Sequence, residues 1–301
     1  MKPGVLQEPH QHVFQIDRNF FIILMRIALG IEYNGSDFCG WQFQHHARSV
    51  QGCIEAALSK VANHPVQVVC AGRTDTGVHA LGQVIHADVT AQRTMRSWVL
   101  GSNANLPSDV CVLWALPVDD NFHARFSALA RHYRYVILNR PIRPALLDKK
   151  ITWERRSLSV ERMQAAADYL IGTHDFSSYR TKACQAKNPV RTVSRLTVSR
   201  IDDHVMIDIS ANGFLHHMVR NIAGVLIPIG ASERLPNWAL TVLKARDRIV
   251  GGVTAPAFGL YFLGVDYPPP YLFPNSPFPL KCVNPEELNV NSNGYQPLSD
   301  R

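Results

Sequence analysis

Two charged residues in one glycine-flanked segment are the strongest candidates for chemistry in this sequence. Residues 71–79 have the sequence AGRTDTGVH, which places Arg73 and Asp75 between two glycines. Residues two apart in an extended backbone project to the same side, and a nearby guanidinium favours the ionised form of a carboxylic acid. The spacing indicates an ionised carboxylate available for nucleophilic or acid–base work. The alternative is a polar turn whose charges are solvated.

The same segment contains the triplet Asp75-Thr76-Gly77, which also occurs in aspartic proteases. Those enzymes need two carboxylates that share a proton. The chain has no second Asp-Thr-Gly or Asp-Ser-Gly triplet, and 301 residues is long for a protease that completes its site by dimerisation. Arg73 would also oppose a shared proton, because it favours the ionised acid. The sequence therefore argues against a protease.

Aromatic and basic side chains are interleaved in a second region. Residues 122–126 have the sequence FHARF, and residues 131–135 have the sequence RHYRY. In a strand, Arg131, Tyr133 and Tyr135 would share one face. Rings can stack on nucleobases while cations hold phosphates, so this pattern suits RNA. An exposed strand with ordinary cross-strand aromatic pairs would have the same pattern.

A third candidate is a cation within an apolar helix. Residues 214–229 carry apolar side chains at helical spacing, and Arg220 falls outside that apolar stripe. A cation in the amino-terminal half of a helix gains nothing from the helix dipole. Arg220 is therefore expected to have an acid or a phosphate as its partner, unless it is simply solvated.

The composition favours a polyanionic partner and a reducing compartment. The sequence has 31 Lys and Arg against 24 Asp and Glu, a formal net charge of +7, and a basic surplus favours nucleic acid because phosphate contacts release counterions. Six cysteines lie far apart without a C-x-x-C motif, which predicts free thiols in the cytoplasm. The apolar run at residues 20–24 is too short to span a membrane, so no membrane association is expected.

Neither a metal nor a cofactor is expected. The adjacent pairs His45-His46 and His216-His217 would point in different directions on a helix or strand, which argues against chelation by either pair. The sequence also lacks a Rossmann fingerprint, a phosphate-binding loop and a cysteine–histidine metal cluster.

Alternating strands and helices must position these candidates. Hydrophobic periodicity predicts a β-α-β-β-α-β order twice, first over residues 26–116 and then over residues 131–266. Ser49 is expected to cap the first helix and Ser159 to precede a later one, and residues 66–71 are expected to form a short strand. This order predicts an α+β fold with two ferredoxin-like halves. We expect the halves to join in one mixed, mainly antiparallel sheet with the active-site cleft between them. The predicted limits are an N-terminal extension at 1–24, a first half with Asp75 at 25–130, a second half at 131–267 and a Pro-rich tail at 268–301.

With these motifs in this order, the sequence resembles the tRNA pseudouridine synthase A family. The similarity is carried by GRTD at 72–75, the 122–126 segment, YRY at 133–135 and HMVRN at 217–221, and it runs from about residue 25 to 267. Two positions depart from the usual pattern. Thr76 stands where many members have Ala, and Phe262 stands where Leu is usual.

The resemblance implies a cofactor-independent isomerase that converts uridine to pseudouridine at positions 38, 39 and 40 of the tRNA anticodon stem-loop. Asp75 matches the catalytic nucleophile and Arg73 the arginine that flips the target base. Tyr133 matches the tyrosine that packs on that base. Arg220 matches the basic partner of the aspartate, and Leu260 would form part of an apolar wall.

The resemblance also implies tRNA as the partner and a homodimer that binds it. The residues implied in RNA binding are Arg48, Arg93, Phe122, His123, Ala124, Arg125, Phe126, Ala183, Cys184, Gln185, Ala186 and Lys187. A non-catalytic RNA-binding protein of the same fold is the alternative function. Asp75 argues against it, because a simple binder gains nothing from an anion facing phosphates.

Overall fold

The computed structural model describes residues 24–274, so the predictions for residues 1–23 and 275–301 lie outside the described residues. Ten strands form its sheet. They are β1 (Met25–Tyr33), β2 (Val69–Cys70), β3 (His79–Val89), β4 (Val110–Val118), β5 (Ala130–Asn139), β6 (Thr152–Glu154), β7 (Gly172–Asp175), β8 (Val190–Ile201), β9 (His204–Ala211) and β10 (Leu260–Asp266).

The sheet confirms the predicted fold class. Its main order is β4-β1-β3-β10-β5-β9-β8-β7, with β2 paired to β3 and β6 paired to β5. In the first half β4, β1, β3 and β2 are antiparallel neighbours. In the second half β10, β5, β9 and β8 repeat that arrangement. Each half therefore has the strand order of a ferredoxin-like unit, and the parallel pairing of β10 with β3 makes the sheet mixed.

Five α-helices accompany the sheet. They are α1 (Val50–Ala62), α2 (Met95–Asn103), α3 (Val160–Ala167), α4 (Met218–Gly230) and α5 (Trp238–Ala245). The predicted caps are present, because the Ser49 side chain accepts a hydrogen bond from Gly52 N and the Ser159 side chain accepts one from Arg162 N. Such caps satisfy backbone donors that have no partner within the helix.

Two elements differ from their predicted extents. A strand was expected over residues 66–71, but only the two residues of β2 pair with β3. The amides of Val66 and Val68 instead donate to Ser59 Oγ and Glu55 Oε1 of α1, so the backbone there is satisfied by helix side chains. The helix expected from residue 214 begins at Met218, because His217 has a left-handed backbone with φ of 64°.

The two halves meet at a short parallel pairing between β3 and β10. Tyr261 pairs with His79 and Phe262 pairs with Ala80. The rings of His79 and Tyr261 stack with their centroids 4.7 Å apart. His79 directly follows the segment that carries Asp75, so this junction fixes where that segment lies relative to the second half.

The chain beyond β10 packs on the sheet as far as it is described. Tyr271 Oη donates to Asp119 Oδ2 at 2.8 Å. The Phe273 ring stacks on Trp114 at 5.0 Å and meets Phe122 edge-on at 5.3 Å. The first residues of the predicted Pro-rich tail thus cover an aromatic cluster of the first half.

Among residues 24–274, no helix combines the length and apolar character needed to cross a bilayer.

The junction generates a prediction about stability at acid pH. His79 Nδ1 accepts the Gly35 amide and Nε2 bonds to the Phe258 carbonyl, each at 3.1 Å. Burial lowers the pKa of His79 to about 4. A histidine with a lowered pKa stabilises the fold fully above about pH 6.5 and loses that contribution as the pH falls towards 4. We expect His79 to account for at most about 3 kcal/mol of lost unfolding free energy over this range.

Urea unfolding of the wild type and His79→Gln at pH 7 and pH 4.5 measures this contribution. The variant should be less stable at pH 7 and should lose less stability on acidification. His46→Gln, at an exposed histidine, should retain the wild-type dependence. An equal loss in wild type and His79→Gln would contradict the assignment.

Candidate active site

The segment between β2 and β3 holds Asp75 on a firmly anchored loop. The hydroxyls of Tyr33 and Thr74 share a buried 2.7 Å hydrogen bond, and the Thr74 carbonyl accepts the Trp41 amide at 3.0 Å. Gly77 has a φ of +81°, and a Cβ there would lie 2.9 Å from the Phe258 ring, so a side chain is excluded. Asp75 itself is turned towards the cleft, with 22% of its side chain exposed.

Arg220 meets that carboxylate from the second half. Its Nη1 donates to Asp75 Oδ2 at 3.2 Å, and its Nε donates to the Ala255 carbonyl at 2.9 Å. The Ala255 amide in turn donates to the Arg220 carbonyl at 3.1 Å. Four residues along α4, a Cβ at Gly224 would lie 1.9 Å from the Val253 carbonyl oxygen. Close packing of α4 against residues 253–255 thus holds Arg220 in place. Of the two partners expected from the sequence, an acid or a phosphate, the structure shows the acid.

Two histidines complete the surroundings of Asp75. His216 Nε2 lies 3.3 Å from Oδ1, and His217 Nε2 lies 3.3 Å from Oδ2. The expectation that adjacent histidines point apart is wrong here, since the left-handed backbone of His217 belongs to neither a helix nor a strand. The three ligand atoms lie within 4.8 Å of one another, so these are the described residues that could hold a metal ion.

The protonation state of His217 follows from its surroundings. Burial lowers the pKa of His217 below its ordinary value, although the Asp75 carboxylate acts in the opposite direction. The Arg220 guanidinium adds to the lowering. The imidazole of His217 is therefore neutral near pH 7 and keeps one nitrogen lone pair free.

Tyr133 stands at the floor of the cleft. Its ring meets Phe214 and Phe262 edge-on, each with centroids 4.9 Å apart, and only 8% of the residue is exposed. Burial raises the pKa of Tyr133 far above its usual value, so its phenol stays neutral. Phe262 is fully buried behind Tyr133, so this unusual residue supports the tyrosine, while Leu260 lines the cleft.

The cleft around Asp75 has a volume of about 1250 Å³. Small-molecule pockets typically reach roughly 300–1,000 Å³, so this space suits part of a larger substrate. Among the described residues that line it, Asp75 is the only acid, and the five arginines are Arg73, Arg125, Arg131, Arg191 and Arg220. The lining therefore favours an anionic substrate such as nucleic acid.

Arg73 lies in the cleft, but the expected pairing with Asp75 is wrong. Within residues 24–274 its side chain makes no hydrogen bond or ion pair, and it is exposed. The physical reason is that the loop is not a regular strand, since Thr74 between them is anchored inward by Tyr33. Arg220, rather than Arg73, is the cation next to the carboxylate.

The 122–126 segment divides between core and surface. Phe122 and Ala124 are fully buried, so their side chains cannot reach RNA, contrary to the expectation. Phe126 is 76% exposed, its ring stacks on His123 at 4.3 Å, and the Arg125 guanidinium lies 5.6 Å from it. Arg125 and Phe126 line the cleft.

The remaining predicted RNA-binding residues are only partly brought together. Ala183 and Gln185 line the cleft and Lys187 is exposed nearby in sequence, whereas Cys184 and Ala186 are partly buried. Two arginines lie outside the lining. Arg48 is held by both carboxylate oxygens of Asp109, at 2.7 and 2.8 Å, and Arg93 donates to the Val61 carbonyl at 3.3 Å.

Three residues of the site have no role assigned to them by the family resemblance. Arg131 donates to the carbonyls of Ala71 and Asn212, at 3.2 and 3.0 Å, and so ties both halves beneath the cleft. Its position on the same strand face as Tyr133 was the available signal. His216 and His217 were missed because no sequence pattern announces a left-handed residue immediately before a helix.

Comparisons with known proteins agree with this geometry. Residues 30–127 and 166–268 match the model of the tRNA pseudouridine synthase family. tRNA pseudouridine synthase A of Nitrosococcus oceani is 60% identical over 244 residues, which cover 81% of this chain and 94% of that protein. The same enzyme of Coxiella burnetii is 56% identical over 84% of this chain and 97% of its own length. That of Vibrio cholerae is 52% identical over 88% of this chain and all of its own length.

A match of this identity over nearly the full length of its relatives, together with one carboxylate facing five arginines in the cleft, establishes that this chain belongs to the tRNA pseudouridine synthase A family.

Proposed function

We propose that this protein isomerises uridine to pseudouridine in the tRNA anticodon stem-loop, at positions 38, 39 and 40, with Asp75 as the nucleophile. The observation that carries the proposal is a single carboxylate on an anchored loop, in a cleft whose described lining contains five arginines and no other acid. A simple RNA binder would have no use for that anion, whereas an enzyme needs it at the centre of its substrate site.

The chemistry follows from a carboxylate held in place by a guanidinium. Arg220 Nη1 donates to Asp75 Oδ2 at 3.2 Å, and the carboxylate so positioned acts as the nucleophile. Asp75 attacks the uridine, at the ribose or at the base, and the glycosidic bond breaks. The uracil then turns within the cleft, and C5 bonds to the ribose. The bond to Asp75 breaks, the C5 hydrogen leaves as a proton, and N1 gains a proton in place of its bond to the ribose. Covalent catalysis divides one difficult step into easier ones.

The target base must leave its stack before Asp75 can reach it. The Arg73 side chain, exposed and without a partner among the described residues, is available to enter the space of the flipped base. The Tyr133 ring, held edge-on by Phe214 and Phe262, offers a fixed surface against the base. Phe126 offers an exposed ring on which a neighbouring base can stack.

We also infer a homodimer that acts in the cytoplasm. An exposed apolar group supports the dimer, since Ile142 is 72% and Leu146 97% exposed beside Leu147, and such surface suits a protein partner. The mass in solution, measured by sedimentation equilibrium, tests it. The five described cysteines are free thiols, which suits a reducing compartment.

The role of Asp75 can be tested at the chemical step. Asp75→Asn keeps the shape of the side chain but cannot act as the nucleophile. Release of tritium from tRNA labelled at uracil C5 should therefore fall roughly 10⁴-fold or more, which is ~5.4 kcal/mol of barrier. Binding of tRNA should persist or tighten, because an anion facing phosphates has been removed.

Asp203→Asn, in the exposed turn between β8 and β9, is the control and should release tritium at the native rate. A wild type that releases no tritium from undermodified tRNA would contradict the proposed function. Native release by Asp75→Asn would contradict only the role of that residue.

The role of Arg125 in tRNA binding can be tested by its salt dependence. If Arg125 contacts a phosphate, Arg125→Ala should reduce the slope of log K against log[salt] by roughly 0.7–0.9. Arg195→Ala removes an exposed arginine that lies outside the cleft lining, and its slope should match the wild type. Equal slopes for wild type and Arg125→Ala would remove Arg125 from the binding surface.

A further inference from the structure

The Asp75 carboxylate lies at the centre of a cluster that resembles a metal site. His216 Nε2 is 3.3 Å from Oδ1 and His217 Nε2 is 3.3 Å from Oδ2, and the three ligand atoms lie within 4.8 Å of one another. The two imidazole rings have centroids 4.2 Å apart and are tilted by 57°. The Nε2 atoms of the two histidines therefore approach the same carboxylate from different directions.

The spacing suits a tetrahedral ion. Zinc binds histidine nitrogens at ~2.0–2.1 Å and carboxylate oxygens at ~2.0–2.2 Å, and tetrahedral ligands at such lengths are about 3.3–3.5 Å apart. His216 Nε2 lies 3.3 Å from Oδ1, whereas His217 Nε2 lies 3.3 Å from the other oxygen, Oδ2, and the three ligand atoms lie within 4.8 Å of one another. Rotation of the Asp75 and His217 side chains would therefore bring all three ligands to one ion. Three protein ligands and one open position are the arrangement of zinc sites that exchange their fourth ligand.

The surroundings keep the ligands in place. Asp75 is on the loop anchored through Thr74, and the left-handed His217 directly precedes α4. Arg220 hydrogen-bonds Oδ2, which leaves Oδ1 as the oxygen for an ion. The Arg220 guanidinium repels a metal cation and so lowers the affinity of the site for the ion. Its hydrogen bond to Asp75 also helps to orient the carboxylate, as hydrogen bonds to ligating carboxylates do in metal sites.

We propose that Asp75, His216 and His217 bind a divalent transition-metal ion such as Zn²⁺ when RNA is absent from the cleft. The bound ion occupies the carboxylate that the reaction needs, so the metal acts as an inhibitor that competes with tRNA. Metal binding stands on the geometry alone. The inhibition rests on the proposed function.

Metal titration of the full chain, stripped with a chelator, tests the binding. Cys39 also lines the cleft and is exposed, so the titrations use a Cys39→Ser background. We expect one Zn²⁺ to bind per chain. His216→Gln and His217→Gln should each weaken the affinity by at least about tenfold, since loss of outer partners alone costs about 10–100-fold.

The other adjacent histidine pair supplies the matched control. His45 and His46 are both exposed, and His46→Gln should leave the affinity unchanged. Co²⁺ added in place of Zn²⁺ should give the intense visible absorption of tetrahedral cobalt in the parent protein and lose it in either cleft variant. Tight binding that survives both His216→Gln and His217→Gln would overturn the site.

Inhibition is measured separately by tritium release from tRNA labelled at uracil C5. Zn²⁺ should slow the release at concentrations near its measured dissociation constant, excess tRNA should relieve the effect, and a chelator should restore the native rate. Stoichiometric binding without inhibition would overturn the claim that the ion occupies Asp75. A wild type without any tritium release would contradict the proposed function while the titration still decides the metal site.

Discussion

The contact between Asp75 and Arg220 is the interaction on which the rest of this structure depends. The two residues are 145 positions apart, come from different halves and meet at 3.2 Å. A hydrogen bond of that length is lost with a displacement of a few tenths of an ångström. A misplacement of a catalytic group by about 1 Å can lower the rate of a reaction roughly 10²-fold. The halves must therefore be held together rigidly if the carboxylate is to remain paired and positioned.

The two halves join through a short parallel pairing in the sheet. β3 and β10 share two residue pairs, and His79 reinforces them by bonding Gly35 on one side and Phe258 on the other. The same strand β10 begins with Leu260 in the cleft wall. Arg131 of β5 adds a second link, because it donates to the Ala71 carbonyl of the first half and to the Asn212 carbonyl of the second half. The residues around Asp75 in the cleft are thus positioned by the elements that join the halves.

Hydrophobic periodicity was sufficient to predict the repeated strand and helix order, because each half buries one face of its strands against helices. It overestimated β2, where side chains of α1 satisfy the amides of Val66 and Val68. The family resemblance led to Asp75 and Arg220. The histidines at positions 216 and 217 and the inward turn of Thr74 depend on backbone conformations and tertiary contacts that local spacing does not encode. For the same reason the spacing of residues 73 and 75 predicted a pairing of Arg73 with Asp75 that does not form, whereas the resemblance gave Arg220 as the partner of Asp75.

The most direct test of this account is the single-turnover rate of Arg220→Met on tRNA tritiated at uracil C5. Met keeps much of the apolar stem but removes the cation from Asp75. We expect a rate at saturating tRNA that is at least about 100-fold below the wild type, ~2.7 kcal/mol of barrier, with little change in tRNA affinity. A native single-turnover rate in Arg220→Met would contradict the claim that the pairing across the two halves sustains the reaction.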